Sequence, residues 1–513
     1  MDSFLLLPKN TNQARGIGQY AIDFLNERYP GPAADVLARV EQFHADSIAC
    51  GVAALACGAN APRLLREEAL EYPAEGIGAT VLGSAQPVQP EKAVLANSAA
   101  VRELDSNGTN FGYNPRTGYT RGEFGHNDFY PVAIAAAQIA GWDGRRTLLA
   151  MLCLDEIRGR LAECFGLKDH KIDHVLHGGI ASAAVYGAVL GATAEQIESA
   201  IGLVVAHYVP FRAIRHGHQL SDSKGASAAI TAEMAVSSMR RAMRGFVGPA
   251  DIFRNPQAVF CLFEKPANKE ESPFDLELAT GGGDFAILGM HFKLGLYEHQ
   301  SAGAIGGLFA LLAQHSGIVA DWQQLHKIRI TIYEPAFSII GDPHKRDPHT
   351  RQSADHSMVY IIATLLRKAI DRANHVSSPA RPNDEITLWQ DLMLLPADYD
   401  DGALFHPITR ELMSRIEFVH GGKEYDQKYP DGIPTTIELV HATQGSFSSG
   451  LVMYPQGHAR CERTHLAALL AAKFERLTET AVGDVSALYQ RFSTLGAKTA
   501  EEIRTLYDFA FTQ

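Results

Sequence analysis

The chain carries no surplus of positive charge: 46 Lys and Arg stand against 58 Asp and Glu, a formal net charge of −12. A nucleic-acid binder needs a basic face, so that class is set aside. Long apolar runs are also missing. The longest stretches, such as Ala302 to Ala313, are too short and too rich in Gly and Ala to span a bilayer. The opening residues, MDSFLLLPKNTNQAR, lack a basic segment followed by an apolar core, so no secretory signal and a cytoplasmic protein are expected. Six cysteines are present and none form a CxxC pair, which speaks against zinc ribbons and the usual iron–sulfur spacing. No GxGxxG follows a strand, and neither GxxxxGK[ST] nor GxSxG occurs. The chemistry is therefore expected to run on side chains alone.

What the sequence does have is helix. From about Thr11 to Ala258, apolar residues recur at spacings of three and four, with Gly or Pro between the runs. Segments that are apolar nearly all round, such as Ile180 to Leu190, should lie inside a bundle. With 513 residues, more than one domain is expected. The charged and then Gly-rich segment EKPANKEESPFDLELATGGGDF reads as a linker. Beyond it HKIRITIYEP, SRIEFVHGG, TTIELVHAT and GLVMYP read as strands, interrupted by helical patterns from Ser301 to Gln314 and His356 to Asp371. The expected fold is mainly α, a large all-helical domain plus a smaller α+β lid domain. Its boundaries are 1–265 for the N-terminal helical part, 286–455 for the lid, and 458–513 for C-terminal helices returning to the helical domain.

Titratable residues collect in five places. The richest is Leu104 to Phe129, a polar loop with Asp105, Thr109, Glu123, His126 and Asp128 that runs into a small-residue helix. Such loops hold chemistry more often than structure, and a helix N-terminus suits an anion. KDHKIDHVLHGG places His170, His174 and His177 before a buried helix; they read as helix-cap or substrate-contacting histidines, with a zinc site the lesser alternative because no HExxH pattern supports it. FRAIRHGHQLSDSKGASAA gathers Arg212, Arg215, His216, His218 and Lys224 with one acid, Asp222. It reads either as a surface turn or as a carboxylate-binding patch, since Arg pairs bidentately with carboxylates. GMHFKLGLYEHQSAGA brings Lys293, Tyr297, Glu298 and His299 to the domain junction, a preferred ligand position. GDPHKRDPHTRQSADHSMVY adds His344, Lys345, Arg346, His349, Arg351 and His356, as a solvated loop or as groups closing over an anion.

LDSNGTNF, GHNDFYPVAIAAA, IDHVL, RAIRHG with SKGASAA, HFKLGLYEHQSA, ADHSMVYIIATLL and YPQGHARC occur in this order. In that order they resemble the MmgE/PrpD family, which includes 2-methylcitrate dehydratase, cis-aconitate decarboxylase and iminodisuccinate epimerase. The resemblance spans nearly the whole chain. It implies an active site between a helical domain and a lid, usually a homodimer, no metal or organic cofactor, and a small anionic di- or tricarboxylate substrate. Matched position by position, it implies Asp105, His126, His174, Lys224 and Lys293 as catalytic residues. Thr109, Arg215, His216, His299, His356 and His458 are the substrate-binding candidates. Asp105 and His126 are the leading acid–base pair, with His174 the alternate. Three features depart from the family pattern: Gly108 stands where a second acid is usual, Phe111 to Glu123 are inserted before His126, and the spacing from Lys293 to His299 is shorter than the family's. The expected activity is a hydro-lyase on a 2-methylcitrate-like acid. The alternatives are decarboxylation, epimerisation, or a non-catalytic helical scaffold.

Overall fold

The computed structural model describes residues 3–110, 114, 116, 126–215, 220–374, 382–462 and 465–512. The architecture is mainly helical. The helices Ala34–Ala56, Pro90–Glu103, Val175–Val189 and Ser223–Met243 form the middle of the larger body. Small residues let them approach closely. A Cβ at Gly187 would stand 2.6 Å from Met239 Sδ and 2.9 Å from Ile197 Cγ1. The helix Val175–Val189 is apolar on every side and buried along nearly its whole length, as its composition predicts. Among the described residues no single helix is long and apolar enough to cross a membrane.

The segment read as a linker is only partly one. Leu276–Gly282 is a strand at the centre of a three-stranded sheet, antiparallel to Ser3–Leu7 and parallel to Gly31–Pro32. Alternating Leu276 and Leu278 are fully buried, which explains why a Gly-containing stretch is ordered here.

The second region is built on a four-stranded sheet in the order Ile416–His420, Leu325–Ile332, Thr436–His441, Gly445–Ser448. Helices Ala302–Gln314 and Met358–Asn374 follow the two helical patterns read there. GLVMYP contributes an isolated bridge, Thr435 to Val452, and the fourth strand comes from Gly445–Ser448 instead. After this region the chain turns back. Helices Leu466–Thr478 and Val485–Ser493 pack on Ala34–Ala56, and Ala500–Arg504 packs on Tyr130–Ala140.

Segments from both regions meet along the loop after Pro90–Glu103. Thr109 forms isolated antiparallel bridges with both His126 and His291. Ser106 Oγ donates to Gly295 O at 2.7 Å. Below this junction the Phe43 and Phe292 rings stack with centroids 3.8 Å apart, a contact of about 0.5–1.5 kcal/mol beyond its buried area. Gly108 lies against that stack. A Cβ there would come within 2.5 Å of the Phe43 ring, so an acidic side chain at position 108 has no room beside this phenylalanine.

Candidate active site

A cleft of about 130 Å³ opens where the two regions meet. The helical body supplies Arg102, Asp105, Thr109, His126, His174, Arg212, Arg215 and Lys224. The second region supplies Glu298, His299, Gln300, Ile339, Ile340, Lys345 and His356. Three helices begin beside it. His174 is the N-cap of Val175–Val189, Lys224 lies in the first turn of Ser223–Met243, and His126 shortly precedes Tyr130–Ala140. Their N-terminal ends add to the attraction for an anion.

Asp105 is the hub. It follows the last turn of Pro90–Glu103 and adopts φ 48°, a left-handed conformation that Asp tolerates better than most residues. Its carboxylate takes Arg102 Nη1 at 2.5 Å, Lys293 Nζ at 2.5 Å and His356 Nε2 at 3.0 Å, with Lys224 Nζ at 3.7 Å. Burial alone would raise its pKa. Arg102, Lys293, His356 and Lys224 outweigh that and hold it ionised, well below the ordinary range. A carboxylate so held is a weak base and a strong organiser of cations.

Lys224 Nζ also reaches Asp355 Oδ1 at 2.9 Å and His356 Nδ1 at 3.0 Å. His356 Nδ1 is 2.6 Å from Asp355, so both ring nitrogens face carboxylates. Asp105, Asp355 and His356 are close enough together to suggest a metal trio. Their carboxylates are already paired with Arg102, Lys224, Lys293 and Arg351, however, and a divalent cation would meet four fixed positive charges.

Burial is the main reason that Lys293 falls from 10.5 to about 8 and that Lys224 and Lys345 fall below the ordinary lysine value. Arg215 is gripped through two nitrogens by Asp173, beside His174. The cleft therefore presents Arg102, Arg212, Arg215, Lys224 and Lys345 against the carboxyl groups of Asp105 and Glu298. In a chain of net charge −12 this is a concentrated positive site.

Four imidazoles line the cleft, His356 together with His126, His174 and His299. Burial, reinforced by nearby cations, holds His126 and His174 well below the ordinary histidine value, and burial takes His299 to about 3. All three are neutral at neutral pH. His126 Nε2 lies 3.2 Å from Arg102 Nη2, which can only donate, so the ring proton is assigned to Nδ1. Among the described residues, His126 Nδ1, both His299 nitrogens and Thr109 Oγ1 are buried without a hydrogen-bond partner.

Of the sequence candidates, Asp105, Thr109, His126, His174, Arg215, Lys224, His299 and His356 line this cleft, and Lys293 lies directly behind Asp105. His458 stands further back. Its ring stacks on His291 at 4.0 Å, and His291 stacks on His299 at 4.7 Å. His216 and nearly all of the insertion lie outside the described residues. The exceptions in the insertion are Asn114, which bonds Glu163, and Arg116, which pairs with Glu277 and Asp284. Sequence reasoning passed over Arg102, Asp355 and Asp173. Arg102 looks like any charge in the last turn of a helix, although its i,i+3 spacing to Asp105 was available as a signal.

The chain matches the profile of the MmgE/PrpD N-terminal domain over residues 18–272 and that of the MmgE/PrpD C-terminal domain over 297–388 and 387–492. It is 25% identical over 411 residues to a protein named 2-methylcitrate dehydratase from Escherichia coli, covering 72% of this chain and 81% of that one. It is 23% identical over 416 residues to a 2-methylcitrate dehydratase from Cupriavidus necator, covering 77% of each. A fungal protein named alkylcitrate dehydratase phiI is 26% identical over 339 residues, covering 64% of this chain and 60% of its own length.

Proposed function

This chain belongs to the MmgE/PrpD family, and on that premise we propose that it is a hydro-lyase acting on a small tricarboxylate of the 2-methylcitrate type. The observation that carries the reading is the cleft itself: five cationic side chains around neutral, buried imidazoles, in a strongly acidic protein. The named dehydratases among its relatives point to the same reaction.

Removal of water from such an acid needs three things. The carboxylates must be held, a proton must leave the carbon next to one of them, and the departing hydroxyl must be protonated. Arg215, Lys224 and Lys345 hold carboxylates. Lys293 and Arg102, aimed around Asp105, offset the charge that develops on the carboxylate beside the deprotonated carbon. His299, with both nitrogens unpartnered among the described residues, takes the carbon-bound proton. His126, protonated once the bound polyanion offsets the nearby cations, supplies a proton to the hydroxyl as an imidazolium, and His174 is the alternate donor. Asp105 then acts as the fixed counter-charge that keeps Arg102, Lys224 and Lys293 in register.

The depressed histidines fit this scheme. Cations and burial keep them neutral in the empty cleft, and a bound polyanion cancels the cations and raises their basicity. Substrate binding thus switches the bases on. The apolar Leu220, Ile339 and Ile340 in the same cleft suit a substrate that also carries an alkyl group. Conversion of 2-methylcitrate to an unsaturated tricarboxylate by the pure protein, followed by NMR, tests the proposal. Itaconate from cis-aconitate would replace it with a decarboxylase.

A further inference from the structure

We propose that Lys473, from the C-terminal helix Leu466–Thr478, is a positioning residue that sets the distance between Asp105 and Lys293. The inference rests on the hydro-lyase reading of the cleft, but its geometry is independent of the substrate. Lys473 is fully buried and does not line the cleft. Its ammonium group has three protons, and all three are spent. Nζ donates to Ser106 O at 2.6 Å, to Lys293 O at 2.7 Å and to Asp46 Oδ1 at 2.6 Å.

The first two acceptors are the carbonyls of the residue after Asp105 and of Lys293 itself. One ammonium group therefore fastens together the backbones that carry the Asp105–Lys293 ion pair. Asp46, on Ala34–Ala56, neutralises Lys473 and anchors it to the helical body. No water is needed in the arrangement, and no other cation reaches either carbonyl among the described side-chain hydrogen bonds. Ser106 Oγ to Gly295 O and the paired backbone bonds of Thr109 and His291 guide the same two segments. They run on either side of the Lys473 contact, so they fix direction while Lys473 fixes spacing.

A misplacement of about 1 Å in a catalytic group can cost on the order of 100-fold in rate. The carboxylate-holding groups Arg215, Lys224 and Lys345 lie on segments that Lys473 does not touch. The expected signature is thus a fall in kcat of about 100-fold with substrate affinity changed less than about threefold.

The experiment uses the full chain. Lys473→Met leaves Asp46 charged, buried and unpaired, so the variant that decides is the double exchange Asp46→Asn with Lys473→Met, which leaves no uncompensated charge. Circular dichroism reports its fold. Turnover of 2-methylcitrate and binding of the unreactive tricarboxylate tricarballylate are measured separately. Low kcat with near-normal tricarballylate affinity supports the inference, and wild-type kcat in the folded double variant overturns it. If wild-type protein turns over no acid, the hydro-lyase reading falls. The inference is then read from the rate at which acetic anhydride labels Lys293, which should rise at least tenfold in the double variant. An unchanged labelling rate overturns it.

Discussion

Lys293 gives the sharpest handle on the chemistry. Burial is the principal cause that takes its pKa from 10.5 to about 8, with Arg102 and Lys224 adding repulsion and Asp105 pulling the other way. The difference corresponds to about 3.4 kcal/mol against holding the charge. The cation that offsets the developing carboxylate charge is therefore lost at a modest pH. The working form is the protonated one, so kcat/KM should be level below about 8 and fall tenfold per unit above it. In kcat, which reports the complex, the limb should move to higher pH because the bound polyanion favours the charged amine.

The sign for stability runs the other way. The folded value lies below the unfolded one, so between about 8 and 10.5 the folded chain binds fewer protons. The contribution of Lys293 to stability is unfavourable below about 8 and is relieved as pH rises through that window. Loss of activity there is not unfolding at this site. Lys293→Met should abolish the limb and lower kcat/KM by about 100- to 1,000-fold on the plateau below about pH 8, the range seen when one charge-stabilising group is removed, with the gap to wild type narrowing as pH rises above it. The assay is the ultraviolet absorbance of the unsaturated product across pH 6 to 10. A profile that stays flat to pH 10, or a limb that survives in Lys293→Met, would refute the assignment.

Asp105→Asn strips the shared counter-charge from Arg102, Lys224 and Lys293. It should destabilise the protein by about 3–5 kcal/mol in urea unfolding, the usual cost of breaking a buried pair, and a loss below about 1 kcal/mol would contradict the hub role. His126→Asn should stop dehydration yet leave exchange of the carbon-bound proton with D2O detectable by NMR, whereas His299→Asn should stop both; the opposite pattern would exchange their roles. Lys345→Ala should raise KM about tenfold with kcat little changed, and a kcat effect without a KM effect would remove it from carboxylate binding. Saturating tricarballylate should stabilise the protein by a few kcal/mol, seen as a raised thermal midpoint; no change at any concentration would favour the scaffold alternative.

Much of this site was legible in one dimension because the residues that line the cleft sit next to breaks in helical pattern. Asp105, Thr109 and His126 stand in a polar loop, and His174, Lys224 and His356 each stand at the beginning of an apolar helix. The anomaly of clustered base in an acidic chain pointed to Arg215 and Lys224. Lys473 was not legible and Arg102 carried only its i,i+3 spacing to Asp105, since each is a single basic residue on a helix whose pattern permits a solvated face. Only the packing of Ala34–Ala56, Pro90–Glu103 and Leu466–Thr478 turns them inward. The strand Leu276–Gly282 was masked for another reason. Its glycines and the charged residues before it read as a linker, and its partner, Ser3–Leu7, lies at the far end of the sequence. Pairings over such separations leave no local mark.

The most direct test of the central claim is NMR of the pure protein incubated separately with 2-methylcitrate, citrate, cis-aconitate and iminodisuccinate. The expected result is loss of water from 2-methylcitrate, with vinylic or allylic signals growing as the citrate-type methylenes disappear. Itaconate from cis-aconitate, inversion of iminodisuccinate, or four unchanged spectra would contradict the hydro-lyase account.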